Sequence, residues 1–308
     1  VTTVNDLVVE TQRRFLSDLR EETDTLGVSM GSTDGSFALT AGQSLGSIQP
    51  GTVVQIDYEL MFVLAAPSPS AISVLRGYLD TSAVAHTSPA LVIVNPRFPS
   101  ADLIRCFNEE LDDLSAPPNG LYQVSEITLS YNPVIVGYDL TDATTGQPLD
   151  PSTFVDIIEV RSHEYGPAQR WPHTPLPKVQ IMRNADTTQF PSGTALRFDG
   201  VGYAGRPIRV LYKATYSATL ANSTDDIEAV SGLHSQAHDI LTLGAAYRLM
   251  QWRELKRSFT ETQSEPRRAQ EVPVGSSLTA VKGIMQHRLD RIAAERARLD
   301  MMYRRIWR

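Results

Sequence analysis

Five groups of residues in this 308-residue chain have types and spacing that chemistry could use. Gly200-Val201-Gly202-Tyr203-Ala204-Gly205 spells the GxGxxG string of dinucleotide-binding proteins. That chemistry needs the string to open a helix whose N-terminus faces a pyrophosphate. Here Pro207 and the strand-like Ile208 to Tyr212 follow, so a tight β-turn is the better reading. His234 and His238 stand one helical turn apart, a chelating spacing, but the Glu of a zinc-protease motif is missing and no third ligand is evident. Polar residues in the first turn of a helix are the plainer expectation. Cys106, the single cysteine, follows Leu103 and precedes Phe107 with no His or cationic cluster to stabilise a thiolate, so a buried small hydrophobe is expected.

Glu109, Glu110, Asp112 and Asp113 crowd carboxylates onto one stretch. Paired-carboxylate catalysis aims its groups across a cleft, whereas sequence neighbours on a helix point apart. A solvated face is the plain reading, and an acidic ring facing the lumen of an oligomer is the alternative. The fifth group, Met301-Met302-Tyr303-Arg304-Arg305-Ile306-Trp307-Arg308, gathers the residue types enriched where proteins meet proteins. Docking to a partner is preferred there over intrachain packing or phosphate contact. No P-loop or GxSxG elbow is present. Neither catalysis, a cofactor nor a bound metal is expected.

The elements that must position these groups follow from periodicity. Val4, Leu7, Val8, Phe15 and Leu19 predict an amphipathic helix over about residues 4 to 20. Short β-branched runs between turn residues, from Phe37 to Val94, predict a small barrel or sandwich. Pro99 and Ser100 open a second helix, which Pro117-Pro118-Asn119-Gly120 stops. Strand runs from Glu126 to Tyr216 predict antiparallel sheets, because no helical pattern intervenes. Leu233, Ala237, Ile240, Leu241, Gly244, Tyr247 and Trp252 mark a third long helix. In a last one Leu278, Met285, Ile292, Leu299 and Ile306 recur every seventh residue. Their companions are mixed: Val281 and Met302 are apolar, Arg288 and Glu295 are not.

The expected fold is therefore α+β, a helical-bundle framework with two inserted antiparallel β modules and a long C-terminal helical arm. Its segments are an N-terminal helix over 1–27, a small β-barrel or sandwich over 28–95, a second framework helix over 96–118, a β-sandwich-like domain over 119–224, and C-terminal helices over 225–308.

Composition bounds the function. The chain holds 28 Lys and Arg against 35 Asp and Glu, a net charge of −7. Residues 1–224 hold 14 basic and 24 acidic side chains, and residues 225–308 hold 14 and 11, so an acidic body carries a basic end. That balance argues against binding nucleic acid over the whole surface. One cysteine excludes an internal disulfide, apolar runs are too short for a membrane span, and no signal peptide pattern opens the chain. A soluble, intracellularly made protein is expected.

Arg76-Gly77-Tyr78-Leu79-Asp80-Thr81-Ser82-Ala83-Val84-Ala85-His86, followed by Ala90-Leu91-Val92-Ile93-Val94-Asn95-Pro96-Arg97-Phe98, resembles a stretch common in head-to-tail adaptor (connector) proteins of tailed bacteriophages. Asp80 stands where that family leads one to expect glycine. The opening helix, the helix exit from Leu111 to Gln123, and Leu241-Thr242-Leu243-Gly244-Ala245-Ala246-Tyr247-Arg248-Leu249 with the basic helix after it follow the same order as in long adaptors. Short adaptors lack anything like residues 120–220.

The resemblance implies a virion protein of the head-tail neck. Such adaptors form a ring, usually a homododecamer, beneath the portal, extend the DNA channel and offer the tail its platform. Expected partners are the portal protein, a downstream neck, stopper or tail protein, and passing DNA that is not bound specifically; no membrane is involved. Tyr303, Arg304, Arg305, Ile306, Trp307 and Arg308 would dock to the portal, and Glu109, Glu110, Asp112 and Asp113 would line the channel. The alternative is a tail or baseplate protein whose β modules bind a receptor or glycan.

Overall fold

The computed structural model describes residues 2–15, 22–40, 46–142, 145–163, 173–175, 179–198, 204–205, 207–261 and 276–303. Their contacts divide the chain into two compact units, Val1–Glu110 with Ala218–Leu289, and Leu111–Ser217 with Asp290–Arg308.

The first unit is built on a barrel. Strands β1 (Glu22–Thr25), β2 (Ser36–Phe37), β3 (Val53–Ile56), β4 (Glu59–Ser68), β5 (Ala71–Leu75) and β6 (Leu91–Val94) pair antiparallel in the order β1-β6-β3-β4-β5-β2. The ends of that sheet meet, with Gly27 N donating to Ala38 O at 2.7 Å and Thr40 N to Thr25 O at 2.8 Å. Closure removes the exposed edges that an open sheet would offer to other chains. Alternation then decides which side chains turn inward: Val54, Ile56, Met61, Val63, Ile72, Val74, Val92 and Val94 fill the interior with Leu26, Phe37 and Ile48. Helices α1 (Val4–Phe15) and α4 (His238–Glu261) pack together, α1 burying Val4, Leu7, Val8 and Thr11. Buried Gln55 of the barrel accepts from Ser100 N at 3.1 Å and donates to its hydroxyl at 2.9 Å, fixing the start of α2 (Ser100–Ser115).

The second unit holds two sheets. One runs β10 (His173–Pro175), β9 (Phe154–His163), β13 (Pro207–Ala214), β7 (Gln123–Ser130), and the other β11 (Val179–Arg183), β12 (Thr194–Phe198), β8 (Tyr138–Asp139). Both contribute to one core, with Ile127, Leu129, Ile157, Val160, Ile208 and Val210 from the first and Tyr138, Leu196 and Phe198 from the second. Tyr138 and Phe198 stack at 4.4 Å between ring centroids.

This architecture corrects the expected fold. The chain is mixed, about 32% helix and 31% strand, with a β-rich body and a C-terminal helix α5 (Ser276–Met302) rather than a helical bundle carrying β insertions. Among the described residues one apolar cluster fills the barrel interior and another the core between the two sheets of the second unit, so each β module buries a core of its own. Two local readings change as well. Leu233 and Ala237 precede α4 instead of belonging to it, because Gly232 at φ 77° ends a short helix α3 (Ile227–Ser231) and a single 3-10 turn follows. Among the described side chains of α5 the buried positions are Val281, Arg288, Ile292, Glu295 and Leu299, while Met285 is exposed. The polar companions of the heptad row are buried because each has an ionic partner.

Candidate functional site

The stretch from Arg76 to His86 closes around one carboxylate. Glu59 opens β4 after a turn in which Asp57 adopts φ 52°, and its side chain is buried. Arg76 grips it with both arms, Nε on Oε1 and Nη2 on Oε2, each at 2.7 Å. The N–H groups of Gly77 and Val84 donate to the same two oxygens at 3.0 and 3.1 Å, and His86 Nε2 lies 3.0 Å from Oε2. His86 Nδ1 in turn lies 2.7 Å from Asp57 Oδ2. Arg76 reaches on to the carbonyl oxygens of Gly31, Asp34 and Val84, at 2.8, 3.0 and 2.6 Å. A buried, bidentate and fully donated carboxylate of this kind locks several loops into one geometry.

The electrostatics follow from that geometry. Burial pushes the Glu59 carboxyl up, but Arg76, His86 and the two backbone donors outweigh it and hold the group at about 2. Burial pushes the His86 imidazole down, and Asp57 and Glu59 outweigh it, so His86 titrates above its ordinary value. At neutral pH Glu59 is thus an ion with no proton to give and no lone pair aimed at a substrate, and both His86 nitrogens face carboxylates. These residues act as a clasp rather than as an acid–base pair. Among the described residues no group of His, Cys, Asp and Glu is arranged to hold a metal ion.

Beside the clasp lies an open groove of about 1110 Å³, lined among others by Asn5, Asp57, Tyr58, Leu79, Asp102 and Asn222. Its rim is the turn at Gly77, Leu79 and Asp80, all left-handed, at φ 62°, 54° and 63°. Asp80 therefore occupies the position where a glycine is expected in a backbone conformation that glycine adopts without strain.

The sequence-predicted acidic residues differ in their surroundings. Glu109 is half-buried and pairs with Arg105 at 3.2 Å, Asp112 is exposed and Asp113 half-buried. Glu110 departs from the channel-lining expectation. It is fully buried and receives Arg288 Nε on Oε1 at 2.5 Å and Arg248 Nη2 on Oε2 at 3.0 Å. Helical periodicity turns Glu110 to the side of α2 that carries Phe107, Leu111 and Leu114, and α4 and α5 supply the cations. Gly244 of α4 makes room for it: a Cβ there would stand 2.2 Å from Glu110 Cδ. Cys106 is buried beside this node, and burial with nearby Glu109 pushes its thiol up to about 12, which removes thiolate reactivity.

Tyr303 follows the end of α5, its N–H donating to Leu299 O at 2.9 Å, and Arg304, Arg305, Ile306, Trp307 and Arg308 lie outside the described residues. So do Gly200, Gly202 and the residues between them. His234 caps the 3-10 turn by accepting from Gln236 N at 3.2 Å, and His238 is buried with Nε2 3.1 Å from Leu233 O, so each has a structural task.

Asp57 and Glu59 were not singled out by sequence. A signal existed: Glu59 precedes the apolar run Leu60 to Ala66, and Arg76 is the only Lys or Arg between Arg20 and Arg97. A carboxylate at the start of a core strand with a single basic residue in reach predicts that pair.

No protein-family model matches the chain, and no curated protein matches it in sequence. Among the described residues no helix is long and apolar enough to cross a membrane.

Proposed function

We propose that the chain is a head-to-tail adaptor of a tailed bacteriophage, a structural protein of the virion neck. It forms a homo-oligomeric ring, a dodecamer, beneath the portal, extends the DNA channel and gives a neck or tail protein its platform. The observation that carries this reading is the adaptor-like string from Arg76 to Phe98 together with what its residues do. Arg76, Gly77, Val84 and His86 each bond to Glu59, and Thr81 bonds to Leu60 N at 3.1 Å and Tyr78 O at 2.9 Å in the turn beside it. The string thus builds one local feature of the barrel, and that supports the reading.

Two further features support the reading. The acidic excess of residues 1–224 suits a wall along which DNA slides without adhering, with Asp112 among the exposed carboxylates and Glu110 excluded from that role by its burial. Met301 and Met302, 83% and 63% exposed, add interface-type side chains ahead of the segment Tyr303–Arg308, which docks to the portal in this reading.

Imaging of the assembled particle tests it. A closed ring of about twelve copies below the portal is the expected result. Density for the chain at the tail tip, or a receptor or glycan bound at useful affinity, would overturn it in favour of a tail or baseplate protein.

A further inference from the structure

Helix α5 carries two rows of residues that place it differently. The first is apolar and repeats: Leu278, Met285, Ile292, Leu299 and Ile306 recur every seventh residue and are all large and aliphatic. Slid by one heptad, about 10.5 Å at a rise of about 1.5 Å per residue, such a row meets its old surroundings with side chains of the same kind. An apolar row of this sort holds a helix without fixing its axial position. Residues 262–275 join α4 to α5, and a connection of that length can reach roughly 50 Å, so it does not fix the position either.

The second row does not repeat. Val281, Arg288, Glu295 and Met302 are an aliphatic group, a cation, an anion and a thioether, again seven residues apart. Among the described side chains of α5 as far as Leu289, the buried ones are Val281 and Arg288. The partner of Arg288 is set by other elements. The Glu110 carboxyl lies against Gly244 of α4, where a Cβ would overlap it, and Arg248 Nη2 reaches Oε2 at 3.0 Å. Helices α2 and α4 thus present a buried carboxylate at one height, and Arg288 Nε meets its Oε1 at 2.5 Å.

Other positions of α5 fail on charge. A slide of one heptad in one direction sets Glu295 against Glu110, a second carboxylate beside the first. In the other direction it sets Val281 there and takes Arg288 away from a buried anion. A slide of three residues offers Arg291 instead, but carries Glu295 into the place of the buried Ile292. A buried ion pair adds little net stability over apolar groups of the same size, and its best-attested use is to select a register.

We propose that the Glu110–Arg288 pair is the register pin of α5. Apolar contacts hold the helix, and this pair selects one axial position among those that the heptad row permits. The pin thereby sets where the exposed Met301 and Met302 stand along the helix axis. The inference goes beyond the adaptor reading and does not depend on it.

The test uses the full chain with Cys106→Ala and nitroxide labels at Arg13→Cys on α1 and Lys282→Cys on α5, both exposed positions of the first unit. Pulsed electron paramagnetic resonance reads the distance between the labels, and the pinned chain should give a single one. The whole node is then replaced by apolar side chains of similar length, Glu110→Met with Arg248→Met and Arg288→Met. That chain should fold with unchanged helix content, because exchanging a complete buried ion group for apolar ones is often neutral. It should also show a second discrete distance, displaced by up to about 10.5 Å. A folded triple variant that keeps the single native distance would overturn the proposal. So would one that fails to fold, since the node would then hold α5 rather than select its position. A featureless spread of distances would overturn it as well, because α5 would have come loose instead of changing register.

Discussion

Glu110 and Arg288 are 178 residues apart in the chain and meet at 2.5 Å, with Arg248 completing the node at 3.0 Å. Two guanidinium groups on one buried carboxylate tie α2, α4 and the first part of α5 together within one unit. A buried carboxylate so placed is costly to remove, because its partners keep their charge and lose their compensation.

Glu110→Gln is expected to destabilise the chain by about 3 kcal/mol, read as a lower midpoint in urea with an unchanged slope. Gly244→Ala is expected to cost about 1–3 kcal/mol, since its new methyl group overlaps the Glu110 carboxyl. In a Glu110→Ala background the Gly244 substitution should cost much less. Additive effects would mean that the two residues do not share space.

The clasp makes stability depend on pH on two sides. His86 titrates above its ordinary value, so its contribution is full below the unfolded value and is lost as pH rises through the folded one. Glu59 is held at about 2, so its contribution is full above the ordinary carboxylate range and is lost as pH falls towards 2. Denaturation midpoints measured from about pH 5 to about pH 9 should fall on the alkaline side for the wild type. For His86→Asn that alkaline fall should flatten.

The turn at Leu79 and Asp80 stores strain that glycine would release. Leu79 is exposed at φ 54° and Asp80 sits at φ 63°, so neither substitution removes core contacts. Leu79→Gly and Asp80→Gly should each leave stability unchanged or raise it by up to about 1 kcal/mol, net of the freedom that glycine adds to the unfolded chain. A clear loss in thermal melts would show that the side chains hold the turn.

Deleting residues 300–308 should leave a folded chain, because α5 keeps the buried Ile292, Glu295 and Leu299. The shortened chain should no longer join portal-containing heads. Normal head-to-tail assembly with that truncation would remove the docking role from Tyr303–Arg308.

Much of the element layout is legible in the residues. The short β-branched runs Val53–Ile56 and Leu91–Val94, set between turn residues, predict strands because branched side chains suit the pleated backbone, and those segments are β3 and β6. Pro99 and Ser100 mark the start of α2, and the turn at Pro117 to Gly120 marks its exit, because proline and glycine act on the local backbone whatever surrounds it. Local chemistry of this kind also allowed Cys106 to be read as buried from its neighbours alone.

What sequence by itself determined, then, is the set of segments, the acidic body and basic end, and the string from Arg76 to Phe98. Tertiary structure alone decided which polar groups are surface and which are core. Glu109, Glu110, Asp112 and Asp113 are alike in type, yet Glu110 is the one that is fully buried, where it meets two guanidinium groups from α4 and α5. Arg288 and Glu295 break a heptad row in sequence yet are buried. The partner that makes burial of a charge affordable is distant in the chain, and no local pattern encodes it. The β-rich body has the same cause: helix and strand periods are local, but which of them closes a core depends on pairings such as Leu26 with Leu39 that only folding brings together.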